Sequence, residues 1–533
     1  MKKLTALILS LILVLSLCPM ASAENVYTST FIGIDGEPVE VTSGLQFPLK
    51  EKVTLTFWYS PGWNFIGDMK SLAEGEVWQW MEDQTNVHIE FIHPASGTDI
   101  QSFQLLFTGE KMPDILHCTL KNEYTYGPEA GVEDGYYLDL TSLMKQYAPN
   151  YMNVLEKYPN VNSNVRTDSG RLLAFNQMYM PEHSKAVNAG PSIREDMLAQ
   201  IGVNVEDLVT YDDWHNVLLR LKKEGICEVP LHLAGEGTMQ YHELAAGYGT
   251  AQDFIVVDGK VKYGPLEDGY GEYIDMLKSW YNEGLIDSDF GLNHRDPEEA
   301  DVINNKYAAW WSYCSWNGTK KWNSSMGVAD GFNLVGTRLP VKEAGQIAHY
   351  RTPDTINNEY NFRICADCEN PEIAVAWFDL WYNENVALVA NYGLGDSHVK
   401  NEDGTYDWSE KLTKAADASA ARGRYVLPNA FYENYTRISN SWSDAQKRSQ
   451  RNWLDSSDYA YVYPNYAIMT AEENTAFAAI MADIKTFVEE ETFKLIAGNS
   501  NYTFESFREH ILGMGIDEAI ALKQAAYDRY ISR

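Results

Sequence analysis

The sequence is short of cysteine, of basic residues and of long apolar runs, and each shortage removes a class of protein. There are six Cys in 533 residues. Beyond Cys18 these are Cys118, Cys227, Cys314, Cys365 and Cys368, and an odd, sparse set is not a disulfide framework. Cys365-Ala-Asp-Cys368 has CxxC spacing, yet a zinc site needs two further ligands and no second CxxC or HxxxH answers it, so buried thiols are expected. Lys and Arg number 42 against 75 Asp and Glu, a formal charge of −33. Such a field repels nucleic acid and disfavours polyanionic ligands unless a local basic pocket reverses it. After the N-terminal segment no stretch approaches the roughly 20 apolar residues a membrane-crossing helix requires. Catalytic signatures are missing too: there is no GxSxG serine elbow and no GxxxxGK[ST] phosphate loop. His242-Glu243-Leu244-Ala245-Ala246 opens like a zinc-protease motif but has Ala246 where the second His belongs.

What is present is apolar and aromatic. Hydrophobic residues make up 45% and aromatics 13% of the chain, enough for substantial cores, and a chain of this length is expected to form at least two lobes. The densest aromatic window is Asn304 to Trp316, NNKYAAWWSYCSW. Rings so concentrated suit a packed core or a platform for an amphipathic ligand such as a sugar. Residues 1–23 read as an export signal: Lys2-Lys3 form the charged region, Leu4 to Leu17 the apolar run, and Ala21-Ser22-Ala23 the small-residue cleavage site. Losing Lys2 and Lys3 takes the charge from −33 to about −35. The mature protein is expected to be exported, extracellular or cell-envelope associated. A lipid anchor at Cys18 is disfavoured, because Leu17 stands where lipoprotein cleavage wants a small residue.

The pattern from Val53 runs strand (VTLTFWY), helix (about Leu72 to Gln84), alternating strand (Val87 to Phe91), helix (about Ile100 to Phe107) and short strand (Ile115 to Cys118). Strand-helix-strand repetition predicts a doubly wound parallel sheet, with ligands beyond the carboxyl ends of the strands. Trp63 and His117 fall there. Further on, Asp168-Ser169-Gly170 turns into Arg171 to Phe175, and Thr210 is the expected N-cap of a helix from Tyr211 to Lys223. Asp258-Gly259 makes a tight hairpin turn, and a helix through Ile274 to Asn282 stops at Gly284. No low-complexity linker interrupts the chain.

The order of several segments carries a resemblance. KVTLTFWY, FQLLFTGEKMPDIL, GYYLDLTSLMKQYAPN, GRLLAF, IREDMLAQIGV with TYDDWHNVL, WYNEGLIDSDF, CENPEIAVAWFDLWYNE, NYGLGDSH with NEDGTYDWSE, FKLIAGN and GIDEAIALKQAAYDRY together resemble the extracellular solute-binding protein family 1. More narrowly they are similar to the large sugar-binding proteins of bacterial ABC importers. The resemblance implies an α/β, two-lobe periplasmic-binding-protein-like fold (type II). In it each lobe is a doubly wound sheet flanked by helices, with hinge crossovers between the lobes and closure over a carbohydrate. It also implies ABC transporter permease subunits as partners, a monomer, and no cofactor, although some relatives carry structural calcium. Asp287-Ser288-Asp289 and Asn401-Glu402-Asp403-Gly404 each hold part of a calcium loop without the closing Glu of an EF-hand. Carried onto this chain, the topology assigns 44–179 and 301–350 to an N-terminal lobe, and 180–300 and 351–533 to a C-terminal lobe.

Candidate ligand contacts follow from those placements. Trp316, just past an expected strand, leads as a stacking platform, with Trp311 more deeply set in that strand. Trp63, in the Pro61-Gly62 turn, either faces the cleft or packs under its own loop. Asn176 and Tyr179 follow the GRLLAF strand at the first crossing, Arg351 lies near another, and Tyr392 sits at the second lobe's cleft edge. Arg351 either donates to hydroxyls or pairs with a carboxylate. Trp280, Tyr281, Trp377 and Trp381 read as core. Two functions remain: a binding protein that captures an oligosaccharide for an importer, or a secreted glycoside hydrolase that uses a carboxylate pair, whose 5–9.5 Å spacing sequence does not reveal.

Overall fold

A computed structural model describes residues 25–109, 111–119, 121–180, 189–234, 244–294, 296–314, 318–323, 331–349 and 356–533, with only the backbone of Trp63, Asn358, Glu359 and Ala471. The export signal expected at 1–23 lies outside these residues.

The first lobe is built on a six-stranded sheet. Its order is Tyr432–Glu433, Phe175–Tyr179, Ile356–Ile364, Ile115–Cys118, Val53–Trp58 and Val87–Ile92. Val53–Trp58 pairs in parallel with both Val87–Ile92 and Ile115–Cys118, as the strand-helix-strand pattern predicts. Ile356–Ile364 is antiparallel to both its neighbours, Phe362 lying opposite His117 on one side and Phe175 on the other. The sheet is therefore mixed rather than uniformly parallel. Helices Pro371–Leu380 and Glu384–Tyr392 cover one face with an almost wholly apolar run. Trp377 packs on Trp381 at 5.6 Å and on Trp78 at 6.2 Å, so both helix tryptophans are core. Burying each such ring contributes on the order of 2–3 kcal/mol.

The second lobe has a smaller central sheet. Ala189–Arg194 lies between Ala309–Tyr313 and Leu334–Gly336, antiparallel to each. Leu231 bridges in parallel to Ala309 and Ile286, extending that layer. Around it pack Tyr211–Lys223, Asp268–Asn282 and the C-terminal helices Ala471–Ala497, Phe504–Gly513 and Ile516–Ile531. Thr210 caps the first of these as expected: its hydroxyl accepts from Asp213 N while the Asp213 carboxylate accepts from Thr210 N. Helix Asp444–Ser456 lies on the sheet through Trp453, whose Nε1 donates to Pro191 O at 3.1 Å. Gly190 and Gly336 make room for that indole, since a Cβ on either would come within 2.5 Å of it.

These pairings correct the assignment of chain segments to lobes. Segment 301–350 returns to the second lobe, because Ala309–Tyr313 is a partner of Ala189–Arg194. Segment 351–533 is divided: Ile356–Ile364 supplies a central strand of the first sheet and 371–433 packs in the first core. The second lobe resumes with Asp444–Ser456. Two of the three links between lobes fall at 181–188 and 350–355, outside the described residues. Beside them Tyr179, Leu339, Val341, Tyr435, Trp442 and Trp453 form an apolar cluster that ties the lobes together. A second tie is polar. Arg529, near the end of the last helix, donates to Asp168 of the first lobe at 2.8 Å, Arg533 donates to the same carboxylate, and the Tyr530 hydroxyl donates to Asn164 at 2.8 Å.

Candidate ligand-binding site

The strand directions locate the cleft. Phe175–Tyr179 runs into the first link, and through Phe362 it lies level with His117, so the carboxyl ends of the first lobe's parallel strands face the same way. In the second lobe Ala189, just after that link, pairs with Tyr313, which puts the end of Ala309–Tyr313 on the same side. Open α/β sheets bind ligands at such ends.

On the first lobe's wall lies a tier of rings. Tyr59, directly after its strand, stacks on His117 at 4.7 Å and 22°, and His117 stacks on Tyr360 at 4.8 Å and 18°. Beside the tier opens a recess of about 360 Å³ including its mouth, lined by Tyr59, Phe65, Leu72, Trp78, Asn429 and Phe431 with the turn Pro61-Gly62. Its rim is held from behind on both sides. His93 Nδ1 donates to Tyr59 O at 2.8 Å, and its Nε2 accepts from Leu72 N at 3.3 Å. Burial lowers the His93 pKa, which favours the neutral ring that this double role needs. Opposite, Arg437 is 1% exposed and donates to Leu427 O at 2.8 Å, Pro428 O at 2.9 Å, Asn391 O at 3.1 Å and the Glu433 carboxylate at 2.8 Å. Glu433 also accepts from Gln177 Nε2 at 2.7 Å.

The second lobe's wall has its own recess, about 340 Å³ with its mouth, lined by Pro191, Trp214, His232, Leu244, Trp310 and Trp311. Among the described residues neither recess has Lys, Arg, Asp or Glu in its lining. Both offer flat apolar faces with few polar groups, which suits the alternation of C–H faces and hydroxyl edges on a sugar.

The expected contacts scatter across this geometry. Trp316 and Arg351 lie outside the described residues, as does the side chain of Trp63, whose backbone begins the short helix Trp63–Ile66 beside the first recess. Trp311 lines the second recess at 5% exposure and meets Tyr313 edge-on at 4.7 Å. Trp310, at 2%, lines it too while packing on Trp322, so strand alternation does not separate a core face from a cleft face here. His117 is buried within the ring tier. Asn176 is buried, accepting from the Tyr151 hydroxyl at 2.9 Å and donating to Asn361 at 2.5 Å. Tyr179 belongs to the cluster between the lobes, meeting Tyr435 edge-on. Tyr392 is buried in the first lobe's core against Tyr406, not at a second-lobe edge. Sequence reasoning missed Tyr59, Asn429 and Arg437; only Tyr59 carried a signal, as a hydroxyl-bearing ring at a strand end before Pro-Gly.

In the partial calcium loops the carboxylates are engaged by neighbouring groups of the chain. Asp287 accepts from Asn293 at 3.2 Å and from the Tyr307 hydroxyl and has Lys306 at 3.6 Å, while Asp403 accepts from Thr405 N and Oγ1 at 2.9 and 2.6 Å. Among the described residues no three His, Cys, Asp or Glu come together as metal ligands. The five described cysteines are free and buried, and burial pushes the Cys368 thiol up to about 12.

The fold so assembled, two α/β lobes with the chain passing between them three times, is that of the two-lobe solute-binding proteins. No protein-family model matches the chain. Among curated proteins it is 23% identical over 524 residues to the fructooligosaccharide ABC transporter substrate-binding protein FusA of Streptococcus pneumoniae, covering 91% of this chain and 92% of that one. Among solved structures it is similar to an HMO-binding ABC-transporter-associated solute-binding protein from Bifidobacterium longum infantis (TM-score 0.71, 15% identity, 90% of this chain and 99% of the other). It is also similar to the alginate-binding protein AlgQ2 without calcium ion (TM-score 0.62, 18% identity, 90% and 99%). The S. pneumoniae FusA in complex with kestose gives a TM-score of 0.64 at 19% identity, covering 90% and 99%. These likenesses agree with the type II two-lobe fold expected from the sequence. The relatives are binding proteins rather than enzymes, and no helix among the described residues is long and apolar enough to cross a membrane.

Proposed function

We propose that this chain is an exported solute-binding protein that captures an oligosaccharide between its lobes and delivers it to the permease of an ABC importer. The observation that carries this reading is the pair of uncharged, ring-lined recesses, one per lobe, at the strand ends beside the links. Its resemblance to a fructooligosaccharide-binding relative over nearly the whole chain supports the ligand class. In this reading the protein acts as a monomer, without a cofactor and without catalysis: rings stack on the sugar faces, a few polar groups fix its orientation, and the lobes close on it. Trp311, Trp316 and Trp63 serve as stacking platforms and Arg351 as a hydrogen-bond donor, while His117, Asn176, Tyr179 and Tyr392 support the walls from within the packing. Titration calorimetry of the mature protein against neutral oligosaccharides tests the reading. Saturable heat with a change in Trp fluorescence is expected, and intact sugar, with no new reducing ends after long incubation, separates it from a glycoside hydrolase. Absence of binding across the panel would defeat it.

A further inference from the structure

Resting on the carbohydrate-binding reading, we infer that the first-lobe recess is a subsite for one uncharged, hydroxyl-bearing arm of the ligand. Tyr59 and Asn429 are its hydrogen-bonding groups, and it rejects a carboxylate in that place. The inner part of the recess has room for a single small group, the size of a hydroxymethyl rather than a whole ring. Two side chains supply polar atoms to its lining. Tyr59 is 8% exposed, and its hydroxyl makes no hydrogen bond to another described residue while not being sealed from solvent, so it is open to a ligand or water in the recess. Asn429 commits one Nδ2 proton to the Tyr360 hydroxyl at 2.7 Å, which leaves Oδ1 as an acceptor and the second N–H as a donor. A phenol beside an amide, each able to donate and to accept, is complementary to an alcohol, which has one proton to give and lone pairs to receive. A carboxylate would have to leave water for an apolar recess with no cation among the described residues of its lining to offset the charge.

The site is built rather than incidental. Arg437 fixes the carbonyls of Leu427 and Pro428 directly before Asn429, and His93 ties Tyr59 O to Leu72 N across the recess. Burial pushes the Tyr59 phenol far above its ordinary range, so it stays a neutral donor. An alginate-binding protein shares the fold, so the fold does not decide between neutral and uronic sugars. The lining of this recess does.

The test uses the mature protein, titrated by calorimetry with kestose, maltotriose, cellotriose and lacto-N-tetraose as neutral probes and trigalacturonate as the acidic one. Against whichever neutral probe binds wild type, Tyr59→Phe is expected to weaken affinity about five- to tenfold with an unchanged melting temperature, the loss of one hydrogen bond. Asn429→Ala is expected to do likewise, and trigalacturonate to bind at least about thirtyfold more weakly than the best neutral probe. Unchanged affinity in both variants, or trigalacturonate binding as tightly as the neutral sugars, would overturn the inference while leaving carbohydrate capture standing. Binding of none of the probes by wild type would overturn both.

Discussion

Replacing Arg437 by Met is the sharpest structural test, because one buried guanidinium organises both the first recess and the edge of its sheet. The side chain is 1% exposed, its acceptors are three backbone carbonyls and Glu433, and Glu433 is itself 3% exposed. Methionine matches the length of the stem but donates nothing, so the Glu433 carboxylate stays buried with Gln177 as its remaining donor at 2.7 Å. Breaking a buried pair from one side costs about 3–5 kcal/mol. The retained Gln177 bond places this case near the lower end, about 3 kcal/mol. At about 2–4 °C per kcal/mol for a lobe of this size, the melting temperature falls by about 6–12 °C. Differential scanning calorimetry reads the fall. Arg437→Met combined with Glu433→Gln should recover part of it, because the uncompensated charge is then gone. A single variant that melts within about 2 °C of wild type, or a double variant as unstable as the sum of both singles, would refute the argument.

Three further outcomes are expected. Asp168→Asn removes the carboxylate shared by Arg529 and Arg533, but Arg533 keeps the carbonyls of Ser163 and Arg166 at 3.2 and 2.9 Å. The expected cost is thus about 1–2 kcal/mol, read as a melting shift and a larger radius of gyration in small-angle scattering, and no change in either would discard this tie between the lobes. Folding lowers the His93 pKa below its ordinary 6.5, so its contribution is complete above pH 6.5 and declines as pH falls from there to the depressed folded value; His93→Gln should flatten that part of the stability–pH curve, and an unaltered slope would remove His93 as its source. Trp316→Ala should weaken oligosaccharide binding with little loss of stability, whereas a large melting shift at unchanged affinity would assign that ring to the core.

What could be read from the sequence was local. Thr210 with Asp213 announces a helix start because both capping bonds form within one turn. Asp258-Gly259 announces its hairpin because the turn needs positive φ at both positions, and they have 52° and 75°. Strand partners are a different matter. Ala309–Tyr313 was legible as a strand, but nothing inside AWWSY says whether it pairs with 175–179 or with 189–194, since both would bury it equally. Ile356–Ile364 became the centre of the first sheet by hydrogen bonds to segments far away in sequence. Hence the lobes were foreseen and their chain segments were exchanged.

The site divides in the same way. The carboxyl-end rule placed His117 at the end of Ile115–Cys118, because it depends only on strand direction. It did not separate a ring that faces the cleft from one that supports it, and His117 proves to be the middle of a tier whose outer members are Tyr59 and Tyr360. Tyr59 gave only a faint signal, because VTLTFWY reads as one continuous apolar strand and nothing but its place before Pro61-Gly62 sets the terminal Tyr apart from core. Asn429 and Arg437 were hidden for a stronger reason: Asn429 bonds to Tyr360 and Arg437 to backbone carbonyls and Glu433, and no residue pattern encodes which of these groups a side chain will meet. If the recess selects neutral sugars, specificity in this protein resides in positions that only tertiary packing brings together. Two chains with the same fold and the same ordered motifs can then differ in ligand charge through a change at Tyr59 or Asn429 alone.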